Sequence, residues 1–191
     1  QFNKIKIPLP PLEKQQEIVD EIEQYQKVID GARQVVENYK PYFSNKNDEF
    51  YYLGEIANLT YGIGESAKDK GEFRYIRITD IDSRGKLIEE GKKFIDIDSE
   101  SNYILNQGDV LIARTGATFG KCLYFDSDEP SVYAGYLIKV ELDQTKILNK
   151  FFWIFSQSND YMNQKNLLVG GAGQPQFNAN ALKKLKIPKI S

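Results

Sequence analysis

Histidine is absent from this 191-residue sequence, and cysteine occurs once, as Cys122. Without imidazole there is no Ser-His-Asp triad and no Cys-His pair. Without a cluster of thiolates or imidazoles, the usual zinc sites are excluded as well. A lone cysteine rules out an internal disulfide and points to the reducing cytoplasm. Also missing are any run of about 18 apolar residues and any basic-then-apolar leader, so neither a membrane span nor export is expected. Carboxylate pairs such as Glu89/Glu90 and Asp96/Asp98 have no metal motif around them and read as solvated charge rather than acid-base machinery. The expectation is a protein that is not an enzyme and uses no cofactor and no metal.

The residues present are those of an ordered soluble protein, 41% apolar and 27% charged. The length suits one well-buried domain with an appendage. A net charge of −2 is awkward for contact with a polyanion, whose non-specific affinity comes from Lys and Arg. The charge is uneven, however. Residues 1–46 carry seven bases and seven acids, 47–100 eight bases and thirteen acids, and 101–191 ten bases and seven acids.

None of the seven prolines falls between Leu12 and Lys40. Over that stretch Ile and Val recur at spacings of three and four, which predicts a helix over about 12–39. Heptad position a falls on Gln15, Ile22, Ile29 and Val36, and position d on Ile18, Tyr25, Ala32 and Tyr39. Val19, Val28 and Val35 widen the stripe. The result is a coiled-coil-like helix of about 42 Å. Either it lies on its own domain as an amphipathic helix, or it projects and needs another helix along its stripe. Gly31 either weakens it or admits a close partner.

Residues 40–47 read as a linker, which divides the chain into 1–46 and 47–191. Beyond the linker, short β-rich pieces alternate with turns. Strands are expected at 51–53, 74–78, 94–97, 109–114, 121–125, 136–140 and 184–188. Short helices are expected at 53–58 and 150–159, with 162–169 an extension or a separate turn. The fold class is α+β, a globular β-rich domain with a long projecting helix. One internal match stands out: Lys4-Ile5-Lys6-Ile7-Pro8 returns as Lys184-Leu185-Lys186-Ile187-Pro188. The first copy leads into the long helix, so the chain reads as one period of a two-period protein.

Three stretches could carry recognition chemistry. In Gly108–Lys121 a buried strand opens into a loop of small and hydroxyl residues, with Arg114, Thr115, Gly116, Thr118 and Lys121 presented to phosphates or base edges. It is no phosphate loop, because three residues rather than four separate Gly116 from Gly120-Lys121, and Cys122 stands where Ser or Thr is required. The plain alternative is a tight strand connection. In Arg74–Ile81, strand alternation puts Tyr75, Arg77 and Thr79 on one face. Arg77 then either reaches guanine O6 and N7 or pairs with Asp80 or Asp82 as structural glue. In the glycine-rich loop 170–178, Gln174, Gln176 and Asn178 suit adenine N6 and N7, unless the loop is merely flexible. Tyr61 and Lys68, near a Gly62/Gly64 turn, form a weaker fourth group.

Lys6-Ile7-Pro8-Leu9-Pro10-Pro11-Leu12-Glu13-Lys14-Gln15-Gln16-Glu17-Ile18, Gly108–Lys121 and Gly173–Pro188 together resemble the specificity subunit of type I restriction-modification enzymes. The likeness covers essentially the whole chain. It implies a target-recognition domain that reads one half of a split site in double-stranded DNA, and a long helix that sets the spacer. The same helix docks methyltransferase (M) subunits, which bring S-adenosylmethionine, and through them restriction (R) subunits. Family members carry two such domains and two helices, so one of each implies a fragment or a half-length subunit that forms a homodimer through Ile18, Ile22, Tyr25, Ile29, Ala32, Val36 and Tyr39. The competing reading is a protein-interaction adaptor whose β-rich domain is structural and reads no bases.

Overall fold

A computed structural model of the chain describes residues 9–43, 49–98, 101–169 and 176–189. The chain divides into two compact units, Gln1–Lys40 and Pro41–Ser191. The first copy of the internal match, Lys4–Pro8, the glycines 170–173 and Gln174 lie outside the described residues.

The first unit contains one helix, α1 (Leu12–Asn38). Pro11 sits at its N-cap, where a missing amide costs nothing, and its carbonyl accepts from Gln15 N at 3.0 Å. Amide–carboxylate pairs one turn apart, Gln16–Asp20 at 2.8 Å and Gln26–Asp30 at 2.9 Å, line its surface. Tyr39 turns extended and Pro41 comes two residues later, which ends the helix. No residue of α1 is buried. Its apolar stripe is open to solvent, from 43% exposure at Ile18 to 70% at Val28 and Tyr39.

The second unit runs β1 (Phe50–Tyr52), α2 (Leu53–Ile56), β2 (Ala57–Tyr61), β3 (Phe73–Ile76), β4 (Phe94–Ile95), β5 (Val110–Ala113), β6 (Cys122–Tyr124), β7 (Ser131–Tyr133), β8 (Leu137–Leu142), α3 (Asn149–Phe155), α4 (Asn159–Leu168), α5 (Ala179–Leu182) and β9 (Lys186–Pro188). These strands form three sheets, ordered β2-β8-β5-β6, β4-β3-β7 and β1-β9. All pairings are antiparallel except β3 with β7. Phe43, just past α1, packs edge-on against Phe151 at 5.2 Å and so joins this unit.

β5, inside the four-stranded sheet, is buried on both faces, which explains why it is an unbroken apolar run rather than an alternating one. Val110 and Ile112 face a core built with Phe152, Phe155, Tyr161, Phe177, Leu182 and Ile187. Leu111 and Ala113 face the other way, into a core with Ile76, Ile81, Leu123 and Tyr133. Each fully buried side chain of this size contributes roughly 1.5–3 kcal/mol. Lys139, opposite Leu111 in the register, is a buried charged residue of this sheet, and its ammonium meets Asp109 at 2.9 Å.

Several elements depart from the sequence expectation. The helix expected at 53–58 stops at Ile56 and becomes β2, because Ala57–Tyr61 pairs along β8. The sequence gives no sign of β7. Its three residues are too few to alternate, and its partner β3 is remote along the chain. The strand expected over 74–78 ends at Ile76, since the Asp80 carboxylate captures both the amide and the guanidinium of Arg77 and turns Ile78–Asp80 into a 3-10 helix. The region after α3 is a separate helix, capped by Ser158, which accepts from Tyr161 N at 3.2 Å.

Arg74 is 1% exposed within β3, yet it is satisfied by Glu89 at 3.0 Å, Glu129 at 3.2 Å and the Ile88 carbonyl at 2.6 Å. Arg74→Ala removes a buried ion and its packing and is expected to cost about 3 kcal/mol, read as a lower denaturation midpoint in urea. Cys122 is buried, and burial pushes its thiol up to about 12. It is therefore expected to resist maleimide at pH 8 in the native protein and to react fully once unfolded.

Candidate functional site

β5 ends at Ala113, and the next residue, Arg114, leaves the sheet with its backbone fixed on both sides. Its amide donates to the Tyr136 carbonyl at 3.0 Å, and its carbonyl accepts from Phe177 N at 2.7 Å. The second bond brings Thr115 opposite Gln176 in an antiparallel bridge. Two loops distant in sequence, 114–121 and 176–178, therefore meet beside one strand end. Gly116 sits at φ +77°, a conformation that any side chain would strain, so the loop needs glycine here. The amides of Phe119, Gly120 and Lys121 close the loop on itself rather than pointing outward.

The guanidinium of Arg114 lies over the ring of Tyr61, 5.0 Å from its centroid, and over that of Tyr136, at 5.7 Å. Tyr61 is held at both ends: its hydroxyl accepts from Ala179 N at 3.1 Å, and its backbone stands opposite Ile138 in the β2–β8 register. Tyr136 is held through its carbonyl, which takes the Arg114 amide. Gly62 lets β2 approach the 133–134 backbone, where a Cβ would fall 2.4 Å from the carbonyl oxygens of Tyr133 and Ala134. Among the described residues, no carboxylate pairs with Arg114, and its buried Nε has no hydrogen-bond partner.

Arg114 and Tyr136 form part of the wall of a cleft of about 650 Å³ that Glu65, Tyr75, Arg77 and Thr79 also line. The Tyr75 hydroxyl donates to the Ile63 carbonyl at 2.7 Å, and burial raises its pKa. Arg77 faces the cleft but is engaged: Nε and Nη2 hold the Asp80 carboxylate at 3.0 and 2.6 Å, and Nη2 also reaches the Gly91 carbonyl at 3.1 Å. The hydrogen bonds to Asp80 hold its pKa above the ordinary arginine value. The Asp80 pair, one of the two alternatives the sequence leaves for Arg77, is present in the structure. Thr79 is exposed at the rim.

The remaining candidates divide. Lys68 is next to Ala67 of the cleft wall, but its ammonium meets Asp96 at 2.9 Å. Lys121 donates to the Ile81 carbonyl at 2.9 Å and so fastens the loop to the body. The Thr118 carbonyl accepts from Lys121 N inside the loop. Asn178 caps α5 by accepting from Ala181 N at 3.0 Å, while Gln176 is exposed. Tyr136, 58% exposed, is a site residue that the sequence does not single out. Its only local signal is a tyrosine after Ala134-Gly135, and its partnership with Arg114 arises from the β5–β8 pairing. The described residues hold no group of three or more metal-binding side chains and no helix long and apolar enough to cross a membrane.

Known proteins resemble the chain in sequence and in fold. The chain is 22% identical to the type I restriction enzyme MjaVIII specificity subunit of Methanocaldococcus jannaschii, over 98% of its own length and 52% of that protein. It thus spans about half the length of this curated relative. Solved structures show the same fold. A chain from work on complex assembly and conformational transition of the type I R-M system matches with a TM-score of 0.57 and 15% identity, over 96% of this chain and 49% of that one. The HsdS subunit of Thermoanaerobacter tengcongensis matches with a TM-score of 0.52 and 18% identity, covering 78% and 39%. The S subunit of M. genitalium matches with a TM-score of 0.51 and 17% identity, covering 74% and 34%. The profile of the type I restriction modification DNA specificity domain matches residues 1–38 and 45–189, and with nearly the whole sequence accounted for, the chain belongs to that family.

Proposed function

We propose that this chain is a sequence-specific DNA-recognition module of a type I restriction-modification complex, reading one half of a split duplex target. The observation that carries the reading is Arg114: a guanidinium with no carboxylate partner among the described residues, lying over two tyrosine rings at the wall of an open cleft. Cations buried for structure alone find carboxylates, as Arg74 does. Thr79, Thr115 and Gln176 supply further donors and acceptors near it, of the kind that read base edges. The chain carries no catalysis of its own. M subunits methylate with S-adenosylmethionine, R subunits cleave, and the complex works in the cytoplasm. With a net charge of −2, the module depends on those partners for much of its grip on phosphates.

The long helix serves assembly. Its stripe is exposed and regular, and an apolar seam of this length is stabilised when a second helix covers it. A second copy that covers this stripe with its own would give a two-fold homodimer suited to a symmetric split target. M subunits dock around the paired helices.

With its cognate methyltransferase present, the chain is expected to shift duplexes carrying one motif and to ignore scrambled duplexes of the same length. Equal shifts for both would remove the reading and favour an adaptor. Light scattering at micromolar protein is expected to give twice the chain mass. Ile22→Asp with Ile29→Asp should return the mass to a monomer while the denaturation of the second unit stays unchanged. A wild-type monomer would contradict the homodimer.

A further inference from the structure

The four basic residues that the sequence advances for DNA contact are not equivalent once folded. Lys68 is engaged by Asp96, Arg77 by Asp80 and the Gly91 carbonyl, and Lys121 by the Ile81 carbonyl. Arg114 alone of the four has no such partner among the described residues, although its Nε is buried. An arginine left unpaired in a half-buried place is costly unless an acceptor arrives. Its five N–H donors form a planar fork, and the acceptors that match a fork are a phosphate, a carboxylate or the O6/N7 edge of guanine.

Geometry separates these. A phosphate contact tolerates a mobile side chain, and a lysine on a loose stem serves it well. Arg114 is the opposite case. Its backbone is bonded on both sides, and its guanidinium lies over the ring of Tyr61, whose hydroxyl accepts from Ala179 N, and over that of Tyr136, whose backbone carbonyl takes the Arg114 amide. Side-chain freedom is thus given up before any ligand binds, which favours a ligand whose recognition depends on orientation. A base edge is such a ligand.

We propose, on the basis of the DNA-recognition reading above, that Arg114 is the residue that reads a guanine in the target. Tyr136 and Tyr61 position its guanidinium, and Arg77 belongs to the fold. Tyr136 is therefore a specificity determinant that touches no base itself.

The test is selection from a pool of randomised duplexes by the chain in complex with its cognate methyltransferase. Wild type should select a motif containing at least one invariant guanine. Arg114→Ala should lose the preference for guanine at one position, by roughly fivefold or more, and keep the rest of the motif. Tyr136→Leu should weaken the preference at that same position by about two- to tenfold. Tyr136→Phe, which retains the ring, should restore it. In wild-type protein, 7-deazaguanine in place of an invariant guanine of the motif, lacking the N7 acceptor, should weaken binding at one such guanine or more; this arm does not depend on any variant folding, and unchanged binding at every one of them would overturn the proposal. A uniform loss of affinity with an unchanged motif in Arg114→Ala would make Arg114 a phosphate contact and overturn the proposal, leaving the DNA-recognition reading in place. Loss of one position's preference in Arg77→Lys, with Arg114→Ala silent, would overturn it as well. If wild type selects no motif, the underlying reading fails together with the inference.

Discussion

Burial of β5 on both faces of its sheet constrains the rest of the second unit. β5 sits inside the four-stranded sheet, with β8 on one side and β6 on the other, and its side chains alternate between two separate cores. Such a strand has little freedom to slip, because a shift of one residue would exchange the two sets of side chains. The residue after its last is therefore delivered to a defined place. That residue is Arg114, at the point where the 135–136 turn before β8 and the 176–178 segment before α5 converge. The candidate site is the open end of that sheet, and the stability of the sheet is what holds the site's geometry.

The site illustrates how a protein of slightly negative net charge can still present a useful cation. Several basic side chains in the second unit are neutralised locally: Arg74 by two glutamates, Arg77 by Asp80, Lys139 by Asp109, Lys68 by Asp96. Arg114 is instead accommodated by aromatic faces, which stabilise a cation without occupying its in-plane donors. Aromatic support and carboxylate support thus have opposite consequences. The first leaves an arginine free to bind, and the second commits it to the fold. Residue type alone does not distinguish these outcomes, and the neighbours in space do.

That contrast also explains what is legible in the sequence. The helix at 12–38 is legible because its signal is periodic, local and free of proline, and the Gly108–Lys121 segment is legible because an apolar run bounded by glycines has few alternatives. Strands β2 and β7 are not, since three- to five-residue segments carry almost no period and are defined by partners far along the chain. Arg77 and Arg114 look alike in the sequence. Asp80, three residues beyond Arg77, hints at its fate without deciding between a base contact and an ion pair. Beyond the Ala134-Gly135 that precedes it, nothing local marks Tyr136, whose proposed role depends on the register that places β8 beside β5.

On the proposal above, DNA is read at the cleft beside the end of β5. A solved structure of the chain with its cognate methyltransferase and a duplex carrying the selected motif tests it most directly. Base edges are expected within hydrogen-bond distance of the Arg114 guanidinium, with the rings of Tyr61 and Tyr136 still against it. A duplex bound elsewhere on the second unit, with this cleft facing solvent, would contradict it.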